Sequence, residues 1–181
     1  RTEPPQNTRM VQRLDGIWFK PDQFESHNKL IKWVYDRADH IIWQSEFDKK
    51  MTTTHWGERP GSVIRNGIDV KKRNVTQQSL IEIRKRYEKV FVCSASWHRQ
   101  KRLAENIELF KLLRQKYESA CLIVMGGNPD FNANDPDVFY TGSVPHEICL
   151  EVYSMSDWMI HLAWLDHCPN VVVEALSQRT P

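Results

Sequence analysis

The chain has 181 residues, 40% hydrophobic and 27% charged, with 25 basic side chains against 23 acidic ones and a net charge of +2. Those proportions describe a soluble globular protein with enough length for a sizeable core. They argue against a nucleic-acid partner, which asks for a concentrated basic face, and no run reaches the ~18 apolar residues of a transmembrane segment.

No signal peptide is visible, and the four cysteines (Cys93, Cys121, Cys149, Cys168) form no CxxC pair. Buried thiols in a reducing, cytoplasmic setting are the expected reading. The chain starts at Arg1 and stops at Thr180-Pro181, just after a helix that should feed another strand. It reads as a fragment of a longer protein.

Residues 1–23 carry Pro4, Pro5 and Pro21 and are expected to be irregular, apart from a possible short strand. Leu30, Ile31, Val34 and Tyr35 recur at helical spacing between Phe24 and Asp39. His40 to Gln44 follows as a short strand, and Ser45-Glu46 opens a helix that ends by Gly57. The turn-rich Gly57 to Gly61 is the linker candidate, dividing the chain into residues 1–60 and 61–181.

Beyond it strands and helices alternate. Ser62–Arg65, Val90–Ser94, Cys121–Met125, Val138–Thr141 and Trp158–Leu162 read as strands. Helices are expected over Thr76–Tyr87, with Thr76 as its cap, then over Lys101–Tyr117, Pro145–Met155 and Pro169–Ser177. Such alternation predicts an α/β fold, a Rossmann-like parallel sheet with helices on both faces.

Ligands of such sheets sit beyond the carboxyl ends of the strands. The unusual residues fall there: Ser96 to Lys101, Gly126-Gly127, Gly142 to Pro145 and Asp166 to Asn170. A strand running into the helix that opens at Pro169-Asn170 aims unpaired N–H groups and a positive dipole end at one spot, which suits a phosphate. Asp166 and Glu174 flank that spot, eight residues apart. By themselves these features also fit an ordinary strand–helix unit with a solvated Asp and Glu.

Taken in order, the motifs resemble those of the retaining GT-B-fold glycosyltransferases of the group 1 or family 4 type. Ala38 to Phe47 is similar to the segment that closes that family's N-terminal domain, and Val63 to Asp69 to the entry of its C-terminal domain. Ser94 to Arg102 resembles the basic loop, Leu122 to Gly127 the strand ending in paired glycines, Tyr140 to Val144 the turn near the base, and Asp166 to Glu174 the two-carboxylate motif. The resemblance implies an incomplete C-terminal donor-binding domain preceded by the end of the N-terminal, acceptor-side domain. The function it implies is transfer of a sugar from a nucleoside-diphosphate sugar to an acceptor hydroxyl with retention. The acceptor class (glycan, lipid or small molecule) stays open, and the fragment alone is expected to be inactive.

The roles carried over by the resemblance are specific. Glu174 would bind the ribose hydroxyls, Asp166 the donor sugar, and the N–H groups of Asn170 and Val171 the diphosphate. Lys101 would neutralise the leaving diphosphate. Gly127 would line the donor site, with Ser143 and Val144 against the base. The sequence departs from the pattern twice: Asp166 stands where the family has Glu, and Ser96 where it has an arginine, with Arg99 or Arg102 as the available substitutes. No cofactor or metal is implied; His161 and His167 lack a third ligand at a convincing spacing. Two alternatives remain, a non-catalytic nucleotide-binding module of the same fold and a sugar-nucleotide epimerase.

Overall fold

Two wholly parallel sheets organise the computed structural model, which describes residues 7–181. They belong to two compact units, Arg1–Asn66 and Gly67–Pro181.

In the first unit, β1 (Val11–Leu14), β2 (His40–Trp43) and β3 (Gly61–Val63) pair in that order. α1 (Pro21–Arg37) joins the first two strands and α2 (Glu46–Trp56) the second pair. α1 begins earlier than expected because Pro21 sits in its first turn, where a fixed φ and a missing N–H do no harm. At the start of α2 the Ser45 hydroxyl accepts from the Asp48 N–H at 3.0 Å, and Gly57 ends it at a φ of 86°. Leu14, Tyr35, Ala38, Ile41 and Trp43 form the core. Gly61 brings β3 against β2: a Cβ there would meet the Trp43 ring at 2.3 Å and the Ile41 carbonyl oxygen at 2.4 Å. This pairing carries the first sheet past the expected division at 60/61, so the units part between Asn66 and Gly67.

The second unit holds a sheet of order β6-β5-β4-β7, made of β4 (Lys89–Ser94), β5 (Ala120–Met125), β6 (Val138–Gly142) and β7 (Trp158–Met159). Four helices accompany it: α3 (Gln78–Arg86), α4 (Leu103–Arg114), α5 (His146–Met155) and α6 (Asn170–Ser177). Strand side chains alternate between faces. Val90, Val92, Cys121, Ile123 and Met125 therefore pack with Leu80 of α3, Leu150 and Tyr153 of α5, and Ala175 of α6. Phe91, Cys93, Leu122 and Val124 pack with Leu103, Ile107 and Phe110 of α4. Continuous apolar runs at β4 and β5 are what a strand buried on both faces requires.

Three expectations shift. α4 does not start at Lys101: Arg99–Lys101 is a 3-10 turn and Arg102 is left-handed, with φ 56°. β7 pairs over two residues instead of five; Phe91 stacks on Trp158 at 5.3 Å between ring centroids and supports this short strand. Thr76 is not the cap of α3. Instead the buried Glu151 of α5 reaches across and accepts from the Thr76 N–H at 2.7 Å, the Thr76 hydroxyl at 2.7 Å and the Gln77 N–H at 3.2 Å. One carboxylate thus fixes the segment that leads into α3. Hydrogen bonds to a charged group contribute roughly 1.5–3 kcal/mol. Glu151→Ala is expected to cost about 2–3 kcal/mol in urea unfolding with an unchanged m-value, and Glu151→Gln less than half of that.

Candidate functional site

All four strands of the second sheet end at one edge because every pairing is parallel. β4 lies between β5 and β7: the chain runs outward from β4 to β5 and β6, then crosses to the other side of β4. The crevice at such a reversal is where open α/β sheets bind ligands. The loops after β4 and β7 flank it here.

The β4 loop is tied down by backbone. The Trp97 N–H donates to the Gly127 carbonyl at 3.1 Å, and its indole N–H to the Met125 carbonyl at 2.9 Å. Gly126 permits this approach. Its φ is 112°, and a Cβ would lie 1.8 Å from the Ala95 carbonyl oxygen. Gly127 sits equally close to the β6 loop, where an added Cβ would fall 2.7 Å from the Ser143 hydroxyl. Gly126 also donates to the Gly142 carbonyl at 2.9 Å. The paired glycines therefore hold the loops of three strands together.

Asn106 connects the β4 loop to the β7 loop. This polar side chain is buried on the apolar face of α4. Its amide donates to the carbonyls of Arg102 (2.7 Å) and Lys101 (3.2 Å), while its oxygen accepts the Leu162 N–H at 3.1 Å. The Trp164 N–H donates to the Gln100 carbonyl at 2.8 Å. Lys101 and the loop that carries Asp166 are thus anchored to each other through the backbone.

Lys101 and Asp166 meet directly, Nζ to Oδ2 at 2.6 Å, with side chains 25% and 21% exposed. His161 approaches the same oxygen, with Nε2 at 3.6 Å. Burial acts to raise the Asp166 carboxyl, but the His161 ring and the Lys101 ammonium outweigh it and hold the group down at about 2. α6 begins at Asn170, with Pro169 in the capping position. Glu174 lies one turn further on, half-buried, with His146 Nε2 3.3 Å from its Oε1. Ser143 is exposed at the β6 loop, and Val144 packs against the core face shared by α3, α5 and α6. Ser96 and Arg99 are both exposed on the β4 loop.

Lys101 and Asp166, to which the resemblance gave separate roles, are in direct contact, a pairing the sequence did not announce. His146, His161 and Asn106 were not foreseen as parts of the site. A polar residue interrupting the stripe Leu103, Ile107, Phe110 was the available signal for Asn106; His146 offered none. Among the described residues, no group of three or more His, Cys, Asp and Glu side chains gathers as metal ligands would.

No family model matches the sequence, and neither does any curated protein. Solved structures do match. An E. coli trehalose-6-phosphate structure bound with UDP-2-fluoro glucose aligns over 95% of this chain and 51% of its own, at 13% identity and a TM-score of 0.72. Sucrose-phosphate synthase from Thermosynechococcus elongatus aligns over 98% and 50%, at 15% identity and 0.73. TarM aligns over 97% and 36%, at 14% identity and 0.71. The chain has the α/β architecture of the GT-B glycosyltransferase fold and spans about half the length, or less, of these structures. Among the described residues no helix is long and apolar enough to cross a membrane.

The depressed Asp166 carboxyl makes a pH prediction. Its contribution to stability is complete above its unfolded value of 3.8 and is lost as pH falls through about 2. Unfolding free energies of the chain and of Asp166→Asn should differ by roughly 2 kcal/mol at pH 6. The gap should close as pH falls toward 2.

Proposed function

We propose that the chain is the donor-binding part of a retaining glycosyltransferase, with the end of an acceptor-side domain before it. The observation that carries this reading is the contact of Lys101 with Asp166 at the strand-order reversal, on the loop that leads into α6. A nucleoside diphosphate needs cationic and N–H donors where its phosphates lie. In this reading Lys101 and the N–H groups of Asn170 and Val171 supply them, with the α6 dipole adding positive potential. Glu174 accepts hydrogen bonds from the ribose diol. Ser143 and Val144 lie against the base, Gly127 lets the backbone approach the donor, and Ser96 and Arg99 border the phosphates.

In the transfer, the bond between the anomeric carbon and the diphosphate oxygen breaks and a bond to the acceptor oxygen forms. The acceptor proton departs with the nucleoside diphosphate. Charge grows on the leaving oxygens, and Lys101 stabilises that growing charge more than it stabilises the bound donor. Asp166 orients the sugar hydroxyls. The acceptor, whether glycan, lipid or small molecule, engages parts of the whole protein that a donor domain does not supply.

A second reading is a nucleotide-binding module without catalysis. The Lys101–Asp166 contact favours it, because the cation is already engaged by a carboxylate. Product analysis on the full-length protein separates the two readings, and would also expose an epimerase.

Donor binding is the direct test. Calorimetry with UDP-glucose, GDP-mannose and their nucleoside diphosphates should show binding of one pair, and Lys101→Ala and Glu174→Ala should each weaken it by about 10–100-fold. Unchanged affinity in both variants would refute the assignment. Titration in the presence of a chelator should give the same affinity. Abolition by the chelator, with rescue by manganese, would show that a metal and not Lys101 holds the phosphates.

A further inference from the structure

Asp166 Oδ2 lies within ion-pair reach of two nitrogens, of which only Lys101 Nζ stands at hydrogen-bond distance. Lys101 Nζ holds it at 2.6 Å, while His161 Nε2 stands at 3.6 Å, just beyond hydrogen-bond distance. The His161 Nε2 atom is itself buried and has no hydrogen-bond partner.

The backbone on both sides of His161 is fixed. The Ile160 N–H donates to the Val92 carbonyl at 2.8 Å, and the Leu162 N–H to the Asn106 side chain at 3.1 Å. The ring is therefore held by the end of β7, whereas Asp166 sits further along the loop. Movement of the carboxylate by roughly half an ångström would bring it into bonding distance.

We propose that His161 is a positioning residue, the reserve partner that takes the Asp166 carboxylate when a diphosphate draws Lys101 away. This rests on the donor-site reading. In the empty site Asp166 occupies the lysine as an internal anion. An arriving diphosphate competes for the same ammonium, and on its own that exchange would strand a half-buried carboxylate. With His161 beside it, Asp166 passes to the Nε2–H and remains held, facing the position of the donor sugar. No bond is made or broken other than hydrogen bonds and ion pairs. The pairing makes the diphosphate and the sugar-facing carboxylate respond to one another.

A double-mutant cycle read by calorimetry with inorganic pyrophosphate tests this without knowledge of base or sugar. Asp166→Asn should tighten pyrophosphate binding, since Lys101 is no longer held by a competing charge. His161→Phe, which keeps a ring and removes the N–H, should weaken binding about tenfold, and His161→Gln, which restores an N–H at a similar reach, should recover most of it. In the Asp166→Asn background His161→Phe should have little effect. Equal losses in both backgrounds, or no loss in either, would overturn the relay while leaving the donor site standing. Failure of pyrophosphate to bind the chain and the Asp166→Asn variant alike would overturn both. Thermal unfolding of each variant accompanies the titration, because a merely structural role for His161 would appear as a lower melting temperature and not as coupling to residue 166.

Discussion

β4 is paired in parallel on both sides, and the second unit depends on that constraint. Parallel neighbours force every connection to cross over the sheet, which places α4 on one face and α3, α5 and α6 on the other. They also bring the carboxyl ends of β4, β5, β6 and β7 to one edge. Because β5 and β7 lie on opposite sides of β4, residues 65 apart in sequence, Lys101 and Asp166, arrive in contact. The site is a consequence of strand order before it is a consequence of any side chain.

Buried backbone and amide hydrogen bonds then fix the position of that edge. Asn106 holds the carbonyls of Lys101 and Arg102 with one end and the Leu162 N–H with the other. A buried amide satisfied at both ends stiffens its surroundings, and losing either partner would leave a polar group unpaired. Gly126 does comparable work for the other loops through a left-handed backbone that no side chain could share. The ion pair itself is only partly shielded from water, so desolvation offsets part of its attraction and leaves a net contribution of roughly 2 kcal/mol. A partner so held can be given up, whereas a deeply buried pair could not.

Much of this architecture was legible in the sequence. The unbroken apolar runs at 90–94 and 121–125 announced strands buried on two faces, and the glycines at 126 and 127 fell at the strand end where ligands of such sheets sit. What periodicity could not reveal was decided by tertiary partners. Leu162 continues the apolar run after Trp158, yet its N–H goes to Asn106 and not to a strand, so β7 stops early. Thr76 has the chemistry of a helix cap, but Glu151 claims both its N–H and its hydroxyl. Lys101 lies in an amphipathic stretch, yet Arg102 turns left-handed and separates it from α4. That break leaves Lys101 on the loop side of the helix, facing Asp166. The contact of His161 with the same carboxylate had no sequence signal, since a histidine at a strand end reads equally well as packing.

The assignment of this edge to a nucleoside diphosphate is the claim on which the rest stands. A crystal structure of the chain soaked with the nucleoside-diphosphate sugar that binds it most tightly tests that claim most directly. The diphosphate oxygens are expected within hydrogen-bond distance of Lys101 Nζ and the N–H groups of Asn170 and Val171, with Asp166 turned from Lys101 toward His161. A diphosphate bound elsewhere, or one bound here with the Lys101–Asp166 pair intact, would contradict it.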